Sequence, residues 1–167
     1  MRNFVLWGVL AVILALVNDL IYDKEAVLAE GEVMLLELQP RDPRSLLQGD
    51  YMSLRYRLGS ELASRTSGAT VDGHVVVRLD DQRVARLVRV HDGATPLATD
   101  ERLLRFRQRG GAVRIAGDAF FFQEGQAAIY QPARYGELRV ARSGEAVLVG
   151  LRDADFRVLA PEQRGQQ

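Results

Sequence analysis

The sequence contains no cysteine and a single lysine, Lys24. The absence of cysteine excludes disulfide bonds, thiolate metal sites, a cysteine nucleophile and a lipoprotein anchor. The formal net charge is zero, because 22 basic and 22 acidic residues cancel. No overall field therefore draws nucleic acid to the chain, and no nucleic-acid partner is expected. All basic residues other than Lys24 are arginine, which we attribute to codon usage in a GC-rich genome.

Patterns typical of metal and cofactor sites are missing as well. Asp80 and Asp81 fall in a predicted hairpin turn, and Asp153 and Asp155 in a predicted loop; neither pair has the ligand count or spacing of a calcium loop. The Gly110-Gly111 pair precedes a strand pattern instead of the helix that a phosphate-binding loop requires. We therefore expect no metal and no cofactor.

An apolar N-terminal run is the strongest signal present. Phe4 to Val17 reads FVLWGVLAVILALV, and apolar residues resume from Leu20 to Tyr22. A helix ending at Tyr22 would cross ~28 Å, which predicts a transmembrane signal-anchor helix over residues 1–22. No pair of small residues suitable for signal peptidase follows, which favours retention, while cleavage as a signal peptide stays open. A buried helix of a cytosolic domain is a further alternative.

The flanking charges predict the orientation of this helix. Arg2 precedes it without any acid, whereas acidic residues surround Lys24 after it. By the positive-inside rule the N-terminus is cytoplasmic and the following domain extracytoplasmic.

The remaining residues have an ordinary globular composition, with 47% hydrophobic and 26% charged residues in the whole chain. Residues 23–31 favour a helical stalk that Gly31 ends, and residues 161–167 form a polar, flexible tail. Between them, residues 32–160 predict an α+β fold, with mostly antiparallel sheet and short helices. The strand-like runs are Glu32–Leu38, Asp50–Leu58, His74–Leu79, Arg83–Val90, Leu103–Arg107, Ala112–Ile115, Ala119–Phe122, Leu138–Val140 and Ala146–Leu151. A single helical turn is expected from Asp42 through Leu47, a helical turn or loop over Gly59–Gly68, and a short helix over Gln126–Ala133.

The run Asp50–Leu58 alternates between two faces. One face carries Met52, Leu54, Tyr56 and Leu58, and the other carries Tyr51, Ser53, Arg55 and Arg57. This period of two predicts one strand with a buried and an exposed side.

The segment Gly49–Tyr56, GDYMSLRY, matches letter for letter the pattern that names the GDYXXLXY protein family. Four other segments also resemble that family: Asp23–Glu25, Asp42–Gln48, Phe120–Gln126 and Arg134–Arg139. The resemblance implies a bacterial membrane-anchored domain. From it, together with the predicted helix and its orientation, we expect a single-pass inner-membrane protein with a periplasmic domain. The resemblance implies no activity, but members are often encoded beside multi-spanning membrane proteins, so it suggests such a protein as partner.

Two interpretations of the motif stay open. In the structural one, Gly49 adopts positive φ and Asp50 bonds nearby amides where the strand begins. In the functional one, the loop and the exposed strand face form a binding site. Its candidate residues are Arg41, Asp42, Arg44, Gly49, Asp50, Tyr51, Arg55 and Arg57.

We expect an accessory or binding subunit of a membrane complex and no enzyme. One alternative is a binder of an anionic envelope ligand through arginines in a stretch without acid after Glu101, although we favour the interpretation that these are outward positions of a hairpin. These are Arg102, Arg105, Arg107, Arg109 and Arg114. The other alternative is a membrane-proximal hydrolase with Ser45 as nucleophile, for which Lys24 is the only lysine that could serve as base.

Overall fold

The computed structural model describes residues 2–39, 47–48, 51–66 and 70–161. Three helices lie within these residues: α1 (Arg2–Glu30), α2 (Arg57–Arg65) and α3 (Ala127–Tyr130). The strands are β1 (Glu32–Glu37), β2 (Leu47–Gln48), β3 (Tyr51–Ser53), β4 (Val71–Leu79), β5 (Ala85–Val90), β6 (Glu101–Arg109), β7 (Ala112–Arg114), β8 (Ala119–Phe121), β9 (Tyr135–Val140), β10 (Ala146–Arg152) and β11 (Val158–Leu159). The predicted tail lies almost entirely outside the described residues.

Helix α1 covers both the predicted anchor and the predicted stalk. Its end is confirmed at Gly31, whose N–H donates to the carbonyl of Val27 at 2.9 Å. A Cβ at Gly31 would lie 2.3 Å from that same oxygen, so only glycine fits this close turn into β1. Over the described residues, none of the helices combines the length and the apolar character that crossing a bilayer requires. The membrane anchor therefore remains a prediction.

The strands form three antiparallel sheets, which confirms the predicted β-rich architecture with short helices. Their strand orders are β1-β9-β10-β11, β2-β3-β8 and β5-β4-β6-β7. Two isolated bridges join this part of the chain to other parts of the domain. Leu35 of β1 pairs with Val84, and Leu38, just after β1, pairs with Tyr56. The first strand thus ties the first sheet to the third sheet and to the motif segment.

The buried face of the motif is confirmed, but the prediction of one continuous strand is wrong from Leu54 onward. Met52, Leu54, Tyr56 and Leu58 are all buried in the core. However, β3 ends at Ser53, and Tyr56 is the N-cap of α2. The pattern of apolar residues here fits both a strand and a helix, because Leu58 and Leu62, four residues apart, also share one helical face. The undecided segment after Gly59 is therefore mostly helix.

Two further differences concern short elements. Leu47 pairs with Met52 in the β2–β3 ladder, so the helical turn expected to reach Leu47 does not include that residue. Strand β11 was not predicted, since two residues paired to Leu151 and Arg152 leave no periodic pattern to detect.

Tyr56 joins several parts of the core. Its hydroxyl donates to the carbonyl of Gly117 at 2.9 Å. Its ring lies so close to Gly136 in β9 that a Cβ there would be 2.9 Å from Tyr56 Cε1. Burial, reinforced by the negative charge of Asp118, raises the pKa of the Tyr56 hydroxyl far above its ordinary value. Tyr56 is therefore a neutral hydrogen-bond donor at any physiological pH.

We expect Tyr56→Ala to lower the free energy of unfolding by ~3–5 kcal/mol, the usual cost of removing a large core aromatic. Tyr56→Phe should cost only about 1–2 kcal/mol, because it leaves the ring and removes one hydrogen bond. Tyr51→Ala should cost clearly less than Tyr56→Ala, since Tyr51 is 36% exposed. Denaturant unfolding in detergent measures all three. Equal losses for the two alanine variants would show that both rings are core and that the motif has no exposed face.

Candidate functional site

The hairpin of β6 and β7 presents a row of arginines. Along β6, Arg105, Arg107 and Arg109 are exposed, while the residues between them are buried. The Gly110-Gly111 turn has φ values of 55° and 81°, so both central residues take the left-handed conformation that a tight two-residue hairpin requires. This turn sets Arg107 directly opposite Arg114 of β7. Like charges thus stand side by side on one face of the sheet.

A second hairpin closes one side of this face. In the turn between β9 and β10, the carbonyl of Gly144 accepts a hydrogen bond from the backbone N–H of Arg105 at 2.8 Å. Gly144 has φ +85°, and a Cβ there would lie 3.0 Å from His74 Cδ2. The turn therefore rests directly on the third sheet, and it sets Glu145 beside the arginine row.

Helix α1 completes the enclosure through Lys24, which forms an ion pair with Glu145. Together these elements surround a cleft of about 490 Å³, which we call the arginine cleft. Five cationic and two acidic side chains line it, giving a net charge of +3. They are Lys24, Arg105, Arg107, Arg109, Arg114, Asp118 and Glu145.

Three of the five cations are already paired. Arg109 donates two hydrogen bonds to Asp72, at 2.7 and 3.0 Å. Arg114 lies 3.2 Å from Asp118, and Lys24 contacts Glu145. Among the described residues, none forms an ion pair with Arg105 or Arg107. The unbalanced charge of the arginine cleft is therefore concentrated on these two guanidinium groups.

The field of the two guanidinium groups extends to carboxylates on both sides of them. The hydrogen bond from Arg109 holds the pKa of Asp72 below its usual value, and Arg107 and Arg105 add to this effect. The hydrogen bond from Lys24 likewise lowers the pKa of Glu145, again with a contribution from Arg105 and Arg107. Both acids stay ionised at neutral pH, and positive charge still remains in the cleft.

This arrangement suits an anion. Guanidinium groups present planar forks of N–H donors that match the oxygens of phosphate or carboxylate. A metal ion would need a different set of ligands, and no group of three His, Asp or Glu side chains within the described ranges is placed to hold one.

The candidate residues proposed from the motif are only partly described. Arg41, Asp42, Arg44, Gly49 and Asp50 lie outside the described residues, as does Ser45. Tyr51 is exposed on β3, with its ring 5.8 Å from that of Phe121.

The two motif arginines lie in different surroundings. Arg55 is exposed and lines a second cleft of about 520 Å³ between the motif, α2 and β7. Arg57 belongs to α2, where it lies 3.2 Å from Glu37 and 3.4 Å from Glu61. The motif residues that the structure describes thus do not share one strand face, whereas the two clefts meet at Arg114 and Asp118.

The other sequence-derived candidates divide clearly. Arg102 is bound to Glu32 at 2.7 Å and lies away from the arginine cleft, which the other four arginines of its stretch all line. Lys24 is bound to Glu145 and its side chain is 53% exposed. Lysine bases are activated by burial, so Lys24 lacks the environment that the hydrolase alternative needs.

A long N-terminal helix followed by an antiparallel β-rich domain, with a cationic cleft between them, defines the architecture of this protein. The family model described as GDYXXLXY protein matches residues 13–151. The chain therefore belongs to the GDYXXLXY protein family. Neither the curated proteins nor the solved structures include a match to it.

We expect Gly144→Ala to destabilise the domain by ~3–4 kcal/mol, through left-handed backbone strain and a clash with the sheet. Gly125→Ala is the matched control, because Gly125 has φ +83° but open space around it. That control should show the backbone strain alone, about 1–2 kcal/mol. Thermal or denaturant unfolding measures both. Equal losses for the two variants would mean that the β9–β10 turn does not rest on the sheet.

Proposed function

We propose that this protein is a membrane-anchored binding domain that holds an anionic ligand in the arginine cleft. The observation that carries the proposal is that Arg105 and Arg107 line the cleft. The nearby carboxylates are already bound to other cations. The proposed role is recognition, without a chemical step.

Ordinary surface charge explains many exposed arginines on strands. It does not explain this cluster, because like charges directly opposite each other, such as Arg107 and Arg114, destabilise a sheet. One acid accompanies each of three cations, and no acid within the described ranges relieves the remaining repulsion between Arg105 and Arg107. A bound anion would relieve it, and its interactions with charged donors would be stronger than neutral hydrogen bonds.

The anchor part of the proposal is supported by the first two thirds of α1. Its described large apolar side chains are exposed: Trp7, Val9, Leu10, Val12, Ile13, Leu14, Leu16, Val17, Ile21 and Tyr22. Such a surface is stable when a bilayer covers it. The charge pattern around the helix supports a cytoplasmic N-terminus and a periplasmic domain in an inner membrane.

Removing the charges of Arg105 and Arg107 should weaken ligand binding. We expect Arg105→Gln/Arg107→Gln to raise the Kd for pyrophosphate by about 100-fold or more, since each lost charged hydrogen bond contributes about 1.5–3 kcal/mol and two of them amount to about 3 kcal/mol or more. Titration calorimetry on the full chain in neutral detergent measures the Kd.

The matched control is Arg78→Gln/Arg157→Gln, which removes the same charge from exposed arginines paired with Asp100 and Asp155. It should bind pyrophosphate nearly as the native chain does. Equal weakening in both double variants would mean that only overall charge matters, and it would contradict a built site.

The anchor has its own test. A reporter active only outside the cytoplasm, fused after Gln167, should be active, and the mature protein should retain residues 1–22 in the membrane fraction. Recovery of a soluble form that begins near Asp19 or Asp23 would contradict the anchor and leave only export.

A multi-spanning membrane protein partner is the second candidate, and one observation favours it. Phe121 is 75% exposed and lies beside Tyr51 on adjacent strands β8 and β3. Exposed aromatic pairs are frequent at the centres of protein interfaces. This pair belongs to the segments that carry the family pattern, so it suits a partner common to the family.

For this candidate we expect Phe121→Ser to reduce copurification of a multi-spanning protein at least severalfold after mild detergent extraction, with no loss of stability. Val158→Ser is the control, because Val158 is also exposed, at 57%, on a different strand. Unchanged copurification in the Phe121 variant would remove the aromatic pair from the interface.

A further inference from the structure

The position of Lys24 relates the arginine cleft to the predicted membrane surface. Lys24 lies two residues beyond Tyr22, where the apolar segment ends. At 1.5 Å per residue it stands about 3 Å farther along the helix axis. The headgroup layer on each side of a bilayer is about 5–8 Å thick. With the anchor in place, Lys24 lies within this layer.

The cleft lies at the same level, because Lys24 is part of its wall. Glu145 binds Lys24, and the neighbouring Gly144 carbonyl binds the backbone of Arg105. The stalk is thereby fixed against the sheet that carries the arginines. Helix α1 also buries Val27 against the domain, one turn beyond Lys24. The arginine row therefore starts next to the headgroups.

The spacing of Arg105 and Arg107 fits one phosphate group. Arg105 and Arg107 are two residues apart on one strand face, so their Cα atoms are separated by about 6.6 Å. Two long guanidinium side chains at that separation can both reach the non-ester oxygens of a single phosphodiester. The cleft, at about 490 Å³, has the size of a small-molecule site and accepts a headgroup, while acyl chains would remain in the bilayer beside α1.

We propose that the ligand of the arginine cleft is the phosphate headgroup of an anionic lipid in the same leaflet, held by Arg105 and Arg107 beside Lys24. This inference rests on the proposed anion-binding function and on the anchor. Its consequence is that the domain is held against the membrane surface by a lipid as well as by its helix, and that it responds to the anionic lipid content of its own bilayer.

The experiment uses the full chain in nanodiscs of phosphatidylcholine that contain a minor fraction of phosphatidylglycerol. Native mass spectrometry after release from the nanodisc counts the lipids that the protein retains. We expect the native chain to retain phosphatidylglycerol at several times its share of the bilayer. Arg105→Gln/Arg107→Gln should lose this enrichment, and Arg78→Gln/Arg157→Gln should keep it. Equal enrichment in all three proteins would overturn the proposal, since the anchor alone would then explain it.

A second arm separates this inference from the proposed function. Soluble glycerol 3-phosphate is titrated into the same chain in nanodiscs of phosphatidylcholine alone. Binding of glycerol 3-phosphate that depends on Arg105 and Arg107, without enrichment of phosphatidylglycerol, would overturn the lipid and keep the anion site. Failure in both arms would overturn both proposals.

Discussion

Burial of one tyrosine ring connects the separate pieces of this domain. Tyr56 pairs with Leu38 beyond β1, caps α2, covers Gly136 of β9 and bonds the carbonyl of Gly117 just before β8. The three sheets are short, and an aromatic ring packed against β9, with its hydroxyl bonded just before β8, adds packing that a short sheet alone could not supply. The motif that names the family ends at this residue. Leu54 and Tyr56 of the motif are buried in the core, whereas the roles predicted for Gly49 and Asp50 fall outside the described residues and stay predictions.

On the surface of the folded domain, the distribution of charge distinguishes the face that carries the arginine cleft from the other faces. Most ion pairs among the described residues are exposed, and such pairs contribute little to stability. The arginine cleft differs because cations outnumber acids there and because two hairpins and the stalk enclose it. Glu145 lines the cleft and binds Lys24 of α1, while the neighbouring Gly144 bonds the backbone of Arg105. The proposed ligand site and the attachment of α1 thus share contacts, and we expect each to influence the other.

Local patterns in the sequence predicted most of the strands, the glycine turns and the end of α1, because each depends on neighbouring residues. They did not distinguish a strand from a helix after Leu54, because the buried positions there fit the spacing of both. Only when Leu62 is included does the helical spacing become clear. The sequence also identified the arginine stretch, but outward positions on an ordinary hairpin were the favoured explanation for it. What makes it a cleft is the contact between Lys24 and Glu145, which are 121 residues apart and carry no local signal of their proximity. Five of the eight residues first proposed as a site lie outside the described residues, so that prediction stands as it was made.

The most direct test of the account is whether Lys24 of the stalk contacts Glu145 of the β9–β10 turn in the membrane-bound protein. Because Lys24 is the only lysine, a carbodiimide that joins amines to carboxylates without a spacer can report this contact with few competing products. After proteolysis, mass spectrometry should find an amide linkage between peptides containing Lys24 and Glu145, and Glu145→Gln should abolish it. Linkage of Lys24 only to acids within the stalk itself would show that the helix does not close the cleft, and it would contradict the proposed site.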